Sequence, residues 1–485
     1  MNSYIGLDIG TSAVKAVKLG ANGIDATAER NYPVSYPKPG YSEQSPADWV
    51  SAAIEAIREL TAKCGGSDIK AISFSGQMHG LCMLDENDDI IRPAILWNDG
   101  RSSEETDFLN NETGKDFLLE NTGNIAFAGF TAPKILWVKK HEPLAFARAK
   151  KICLPKDFVA YKFSGCFATD CSDAAGTLYF DTKKRRWSDS MLKLLGISVE
   201  MLPEVHESSD IIGTLLPEIA KKTGLCEDVK VIIGAGDNAA SAIGTGTVND
   251  GDCNISLGTS GTVFVCSRKF NCDRKNAIHS FCSANGVYNY LACILSAASC
   301  QKWWIEDILR ADYDFEPLKK YAANSSVLFL PYLMGERSPV NDTAVRGMFT
   351  GLSADTTKEE MTVAVLEGVA FALRENIELI RSLGVNITSS RVCGGGARNK
   401  LWLQILADTL SIELLVPENE HGGAAGAAML AAKAVADEDE YAALCEKLYK
   451  IKTKILPSTD SKEYYDKKYS AYLKLYSAAK SIYGE

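Results

Sequence analysis

The chain has 485 residues, 46% hydrophobic and 24% charged. This ordinary globular composition excludes a disordered chain, a collagen repeat and a small disulfide-stapled scaffold. With 52 basic and 62 acidic side chains the formal net charge is −10, and a surface of that sign repels phosphate backbones, so nucleic acid is not expected as a partner. A small polyanion can still be held where local backbone N–H groups converge.

No apolar run reaches the ~20 residues that span a bilayer, so no membrane association is expected. The opening MNSYIGLDIGTS lacks the basic stretch that precedes the apolar core of a signal peptide. The 14 cysteines form no C-x-x-C pairs and no metal-ligand spacing. They are expected as buried thiols in a reducing, cytoplasmic setting.

In chain order, Tyr4–Ile9, Ala13–Leu19 and a third piece through Tyr32 predict three short antiparallel strands joined by tight turns, the first being Gly10-Thr11-Ser12. Ser45-Pro46 starts a helix in which Val50, Ile54, Ile57 and Leu60 recur at helical spacing, and Gly65-Gly66 ends it. Ile69–Phe74 reads as a buried strand. The order β-β-β-α-β defines a mixed α/β domain rather than a plain Rossmann unit.

The second half repeats the opening. Cys253–Leu257, the turn Gly258-Thr259-Ser260-Gly261 and Thr262–Cys266 again place Gly-Thr-Ser between two short strands. One such pair is a weak repeat signal, but it suggests a duplicated lobe. Two glycine-rich strand-to-helix turns follow the same logic: Gly234-Ala235-Gly236-Asp237-Asn238 after Val231–Ile233, and Gly394-Gly395-Gly396-Ala397 after Arg391–Cys393. Lys358–Leu383 has helical periodicity, residues 460–482 read as an outer solvated helix, and the expected hinge lies near 244–252.

The chemistry candidates sit at these turns. Glycine lets backbone approach closely, adjacent N–H groups form an anion-binding concavity, and Thr and Ser add short hydroxyls. Either turn alone could be a plain hairpin; one in each lobe could clasp a polyphosphate. Asp8, just before the first turn, would be repelled by phosphate unless a cation lay between them, and so reads as a Mg²⁺-side carboxylate or else a turn cap. Asp237 begins a helix at a strand end, where α/β ligands bind; it could take a proton from a substrate hydroxyl or simply cap the helix. Gln77-Met78-His79-Gly80 and Trp97-Asn98-Asp99-Gly100-Arg101 mix polar groups with apolar surface, as a polyol site requires. His79 and Trp97 read equally well as core residues. With 5 His, no H-E-x-x-H and no G-x-S-x-G, metalloprotease and serine-hydrolase readings have no support.

Together these segments resemble the FGGY carbohydrate kinases. The similarity runs from Tyr4-Ile5-Gly6-Leu7-Asp8 to Gly426-Ala427-Ala428. It includes two long family signatures, one over Gly129–Trp137 and one from Gly347-Met348-Phe349 through Leu366-Glu367-Gly368. Gln77–Gly80, Ile95–Arg101, Leu154-Pro155-Lys156-Asp157 and Ser172–Thr177 are most similar to the branch that phosphorylates D-xylulose. The resemblance implies an α/β fold of two actin-like (ribonuclease H-like) lobes around a central cleft, divided as 1–246 and 247–485. It implies ATP and Mg²⁺ as cofactors, a sugar substrate and allows a homodimer. By the same match Asp237 is the catalytic base, and Asp8 with Asp237 lies on the metal side. Met78, His79, Asn238, Gln77, Trp97 and Arg101 would face the sugar. Thr11, Ser12 and Lys15 would meet the phosphates from one lobe, Gly258 and Thr259 from the other, with Gln301, Gly395, Gly396 and Asn399 toward the nucleotide. Two departures from the family pattern, Cys393 and Ala425 in the stretch Glu420–Ala428, are expected at the adenosine wall. Another ketose or polyol as substrate, or a non-enzymatic actin-like ATPase, are the alternatives.

Overall fold

The computed structural model describes residues 2–274, 278–310, 314–418 and 422–483. The first half of the chain builds a six-stranded sheet from β1 (Ser3–Ile9), β2 (Ala13–Gly20), β3 (Gly23–Asn31), β4 (Ile69–Gly76), β5 (Ile211–Thr214) and β6 (Lys230–Gly236), in the order β5-β6-β4-β1-β2-β3. The second half builds a seven-stranded sheet from β7 (Cys253–Leu257), β8 (Gly261–Ser267), β9 (His279–Cys282), β10 (Tyr288–Ile294), β11 (Ser389–Cys393), β12 (Glu413–Pro417) and β13 (Ile451–Ile455), ordered β9-β10-β8-β7-β11-β12-β13.

The duplication suggested by one short repeat is present in the topology. In both sheets a three-stranded antiparallel meander leads into two parallel neighbours and an antiparallel edge: β1 corresponds to β7, β2 to β8, β3 to β10, β4 to β11, β6 to β12 and β5 to β13. The chain order differs at one edge, since β5 precedes β6 whereas β13 follows β12. β9 is an added strand outside the repeat.

Both faces of the first sheet are covered, so its strands are apolar on alternating sides. Ile5, Leu7 and Ile9 face a cluster with helix α1 (Pro46–Cys64), while Tyr4 faces a second cluster shared with the other half of the chain. The helices α2 (Asp237–Thr245) and α5 (Gly422–Val435) form this second layer; between them in sequence lie α3 (Lys358–Ser382) and α4 (Lys400–Leu410). α5 belongs to the C-terminal half in sequence yet packs on β1 and α2, and glycine makes that approach possible. A methyl carbon on Gly6 would lie 1.9 Å from Ala424 O, and one on Gly426 would lie 1.7 Å from Ala240 O.

Two sequence expectations are corrected, for α1 and for the C-terminal segment. The buried face of α1 is Trp49, Ala52, Ala53, Ala56, Ile57 and Leu60, with Val50 and Ile54 on its half-buried flank, so two of the four expected aliphatics and three alanines fill it. The stretch 244–252 is a bonded turn: Val248 and Asn249 donate their N–H groups to Asp252 Oδ2 at 3.0 and 2.9 Å. The C-terminal segment is two helices, α6 (Lys462–Tyr472) and α7 (Leu475–Tyr483), and α6 is not merely solvated. Its Tyr465 and Tyr472 are buried beside Phe371 of α3, and Lys468 forms a buried ion pair with Glu367 while also donating to Ser325 O at 2.8 Å. The sequence shows lysines and tyrosines at helical spacing; only the fold reveals a carboxylate waiting for one of them.

Removing one partner of a buried pair strands the other charge, so Lys468→Met should lower stability by about 3–5 kcal/mol. Glu367→Met/Lys468→Met should regain most of that, read by denaturant unfolding. A second test concerns Glu336, whose Oε1 accepts N–H groups from Leu295 and Arg337 at 2.8 and 2.7 Å while Oε2 is buried without a partner among the described residues. Burial pushes this carboxyl from 4.5 up to about 8. The folded state therefore keeps a proton that the unfolded state releases, so its contribution is full below pH 4.5 and is lost as pH climbs toward 8. Glu336→Gln should flatten the decline of Tm across that window, measured by thermal unfolding at stepped pH.

Candidate active site

The first Gly-Thr-Ser turn joins β1 to β2 and is fixed from behind. Tyr32 Oη donates to Gly10 O, Gly10 N–H donates to Ala13 O at 3.0 Å, and Gln44 Nε2 donates to Thr11 O at 2.5 Å. Gln44 Oε1 in turn accepts from Trp49 Nε1 at 3.0 Å and Gln77 Nε2 at 2.9 Å. With the turn's carbonyls engaged inward, its hydroxyls remain for contacts on the other side. Trp97 Nε1–H donates to Thr11 Oγ1 at 3.0 Å, so the tryptophan, 43% exposed, leans on this turn. Lys15 projects from the exposed side of β2, close enough for its charge to favour the ionised form of Asp8.

The second turn joins β7 to β8. Its carbonyls are also taken: Ala298 N–H donates to Gly258 O at 2.9 Å, and Ala297 and Ser299 N–H groups donate to Thr259 O at 3.0 and 3.3 Å. These donors begin the helix Ala298–Lys302 that carries Gln301. Asn399 caps α4 by accepting Trp402 N–H at 3.2 Å and reaches Gln301 Oε1 with Nδ2 at 3.5 Å. Gly394 adopts φ +90° against Leu257, whereas a methyl carbon on Gly395 would meet nothing within 4 Å. Gln301, Gly395, Gly396 and Asn399 thus gather at one end of the second lobe, with open space before Gly395. A groove of about 1090 Å³ runs alongside, lined by Ala322, Ala323, Ala397 and Arg398.

Asp237 is the first residue of α2, at the end of β6. Its Oδ1 accepts the Asn238 N–H at 2.6 Å and Asn238 Nδ2 at 2.8 Å, which leaves Oδ2 without a hydrogen-bond partner among the described residues. Burial and the neighbouring charge of Asp8 push its carboxyl up to about 7. Asp8 is raised by burial too, against a hydrogen bond from Ser75 Oγ at 2.9 Å. Two half-buried carboxylates, one of which raises the other, without a neutralising guanidinium, suit a divalent cation. Among the described residues no cluster of three or more His, Cys, Asp or Glu could hold one with protein ligands alone. The pair fits Mg²⁺, which takes one or two carboxylates and completes its shell with phosphate oxygens and water.

Met78 and His79 form the next wall. His79 sits at φ +69°, a costly conformation for a residue with a side chain. Its carbonyl is pinned by Lys134 Nζ at 2.8 Å and Thr131 Oγ1 at 3.1 Å, and Lys134 also donates to Gly129 O at 2.7 Å. Its Nδ1 lies 2.7 Å from Gly176 O. A carbonyl only accepts, so the ring proton is on Nδ1 and Nε2 is left as an acceptor. Burial and the charge of Lys134 pull the imidazolium down to about 3, so the ring is neutral.

Two expected sugar-facing residues serve the frame instead. Gln77 is buried and its Nε2 donates to Gln44, supporting the first turn, while its Oε1 has no hydrogen-bond partner among the described residues. Arg101 has only 1% of its side chain exposed; Asp99 and Glu43 hold it at 2.7 Å each, and its guanidinium stacks on Tyr41 and Trp137, so no face is left for a ligand. The two departures are also relocated. Ala425 is buried in α5 against the first sheet. Cys393 lines a cavity of about 330 Å³ with Asn238, Ser241, Thr245, Asn254 and Thr262, on the floor between the lobes. Glu420 and His421 lie outside the described residues.

Residues unnoticed in the sequence come from β9. His279 and Phe281 stack at 5.4 Å and pack against Phe127 and Phe130, which also contacts the His79 ring at 4.7 Å. Asn124 clamps this strand to the first lobe, donating to Ser280 O at 2.8 Å and accepting Ser280 N–H at 3.0 Å. Arg337 lies over Phe127 at 5.0 Å. Phe130 and Lys134 fall within the Gly129–Trp137 signature, the sequence signal that could have found them.

Comparison with known proteins agrees with this architecture. Residues 3–244 match the N-terminal domain of the FGGY family of carbohydrate kinases and residues 253–435 its C-terminal domain. The chain belongs to the FGGY family of carbohydrate kinases, and it is a sugar kinase. It is 37% identical to the xylulose kinase of Bacillus subtilis (strain 168) over 99% of this chain and 98% of the relative. It is 40% identical to the xylulose kinase of Escherichia coli (strain K12) over 89% of each. A solved "xyloylose kinase" from Brucella ovis superposes with a TM-score of 0.93 at 40% identity, covering 99% of this chain and 100% of that one. The two-lobe α/β fold is thereby established, and the non-enzymatic alternative is set aside. Among the described residues no helix is long and apolar enough to cross a membrane.

Proposed function

We propose that this sugar kinase transfers the terminal phosphoryl group of ATP to D-xylulose, giving D-xylulose 5-phosphate, with Asp237 as the general base. On this reading residues 1–246 hold the sugar and 247–485 the nucleotide. The names of its relatives support the substrate. The observation that carries the chemistry is the Asp237 carboxylate, half-buried beside Asp8 at the start of α2, with one oxygen held by Asn238 and the other free.

The ketose lies along Met78 and His79, with His79 Nε2 accepting a sugar hydroxyl and Asn238 donating from the opposite side. Asp237 Oδ2 orients the terminal hydroxyl and takes its proton as the oxygen attacks. A carboxyl raised to about 7 is a stronger base than an ordinary aspartate. The two Gly-Thr-Ser turns hold the phosphates from opposite lobes, and their N–H groups and hydroxyls stabilise charge on the transferring group. Mg²⁺, held by Asp8 with Asp237 at its side, would neutralise polyphosphate charge. Trp97 shields the reacting end from water, a competing nucleophile.

Asp237→Ala should fold with an unchanged Tm, because its carboxylate strains rather than supports the floor, and should lose ~10³-fold or more in kcat. Steady-state kinetics with circular dichroism checks both; near-wild-type turnover would remove Asp237 from this role. ADP release should be strongly sugar-dependent and highest with D-xylulose when D-ribulose, L-ribulose and glycerol are tested beside it. Preference for another of these sugars would reassign the substrate and leave the base intact.

A further inference from the structure

The segment 170–177 is buried throughout and touches both sides of the chemistry. At its start, Ser172 Oγ accepts the backbone N–H of Gly236, the residue before Asp237, at 3.1 Å. The Ser172 hydroxyl donates to Asp170 Oδ2 at 2.5 Å, and Ser208 Oγ donates to the same oxygen at 2.7 Å. Asp170 Oδ1 is held by Lys156 Nζ at 3.0 Å, and Lys156, with none of its side chain exposed, also grips Asp157 at 2.7 Å. Ser208 adds a second tie, since its carbonyl accepts Gly234 N–H at 3.1 Å. At the other end, Gly176 O receives the Nδ1–H of His79.

We infer that Ser172, locked by Asp170 and Lys156, is a positioning residue that fixes Asp237 relative to His79, so that this segment sets the distance between the base and the sugar. The inference rests on Asp237 being the base. The physical reason is that Gly234 and Gly236, which precede Asp237, have no side chains to pack, and Gly234 has φ +78°. The pairing of β6 with β4 shifts register across this stretch, between Ile232 and Ala235, so the regular ladder does not fix the strand end by itself and the Ser172 hydroxyl supplies a further restraint. The Gly236 N–H precedes the first turn of α2 and finds its partner in a side chain whose own proton is already committed to Asp170. One hydroxyl therefore couples the strand end to a buried network in which Lys156 is shared by Asp157, Asp170 and Asp173.

The two ends of the segment should separate kinetically. Ser172→Ala should lower kcat by roughly tenfold or more with the ketose KM changed less than about twofold, because base alignment acts only in the transition state. Ser172→Thr, which keeps the hydroxyl, should recover most of the loss. Gly176→Ala should do the opposite: its methyl carbon would lie 2.6 Å from the His79 ring, so KM for the ketose should rise while kcat holds. A folded Ser172→Ala enzyme with wild-type kcat, or one whose loss Thr does not restore, overturns the inference. If Ser172→Ala does not fold, Ser172→Cys, close in size but a weak acceptor, is judged by the same outcomes. Asp237→Ala serves as the control. Turnover retained there overturns the base assignment itself, whereas turnover lost there but kept in Ser172→Ala overturns only the positioning role.

Discussion

The molecule depends on two helices passing closer than side chains normally permit. α2 and α5 cross with Ala240 O against Gly426 and with Gly244 against Gly422 O, where a methyl carbon would lie at 1.7 and 2.6 Å. Gly6 lets the first sheet rise to meet the same crossing. Each helix begins at the cleft floor, α2 with Asp237 and α5 with Gly423 beside Asp8. Their N-termini carry the partial positive charge of the helix dipole. The crossing thus brings two carboxylates together and surrounds them with a field suited to a polyphosphate, which explains how acidic groups can sit where an anion must bind.

The two lobes share a sheet but not a task. The first turns are equivalent in topology, yet Thr11 is tied to a tryptophan and Thr259 to the helix of Gln301. The added strand β9 breaks the symmetry further. It places His279 and Phe281 against the His79 side of the other lobe, so the wall behind His79 is built by both halves of the chain.

What could be read in the sequence was local. Glycine punctuation and period-two alternation gave the meander, the turns and the strand-to-helix junction before Asp237, because each depends on a few adjacent residues. The positions of Asp8, Asp237, Met78, His79 and the two turns follow from that. What could not be read was who pairs with whom. Arg101 looked available until Glu43, 58 positions earlier in the numbering, claimed it. Gln77 gives its Nε2 to Gln44, 33 positions earlier, a pairing no local spacing announces. Ala425 was assigned by its neighbours in sequence, whereas a helix crossing sent it to the opposite lobe. The Ser172 bridge is invisible in the sequence, since a hydroxyl's partner 64 residues away leaves no trace in spacing.

The position of α5 has a consequence for how the chain can be divided. A cut after residue 246 would respect both sheets, yet it would strip Tyr4, Val17, Leu19 and Ile232 of their cover and leave Ala424, Ala428 and Met429 bare on the detached half. Neither fragment would own a finished surface. The two pieces, made separately, would be obligate complements of each other, reassembling through that alanine-rich stripe rather than folding as independent modules.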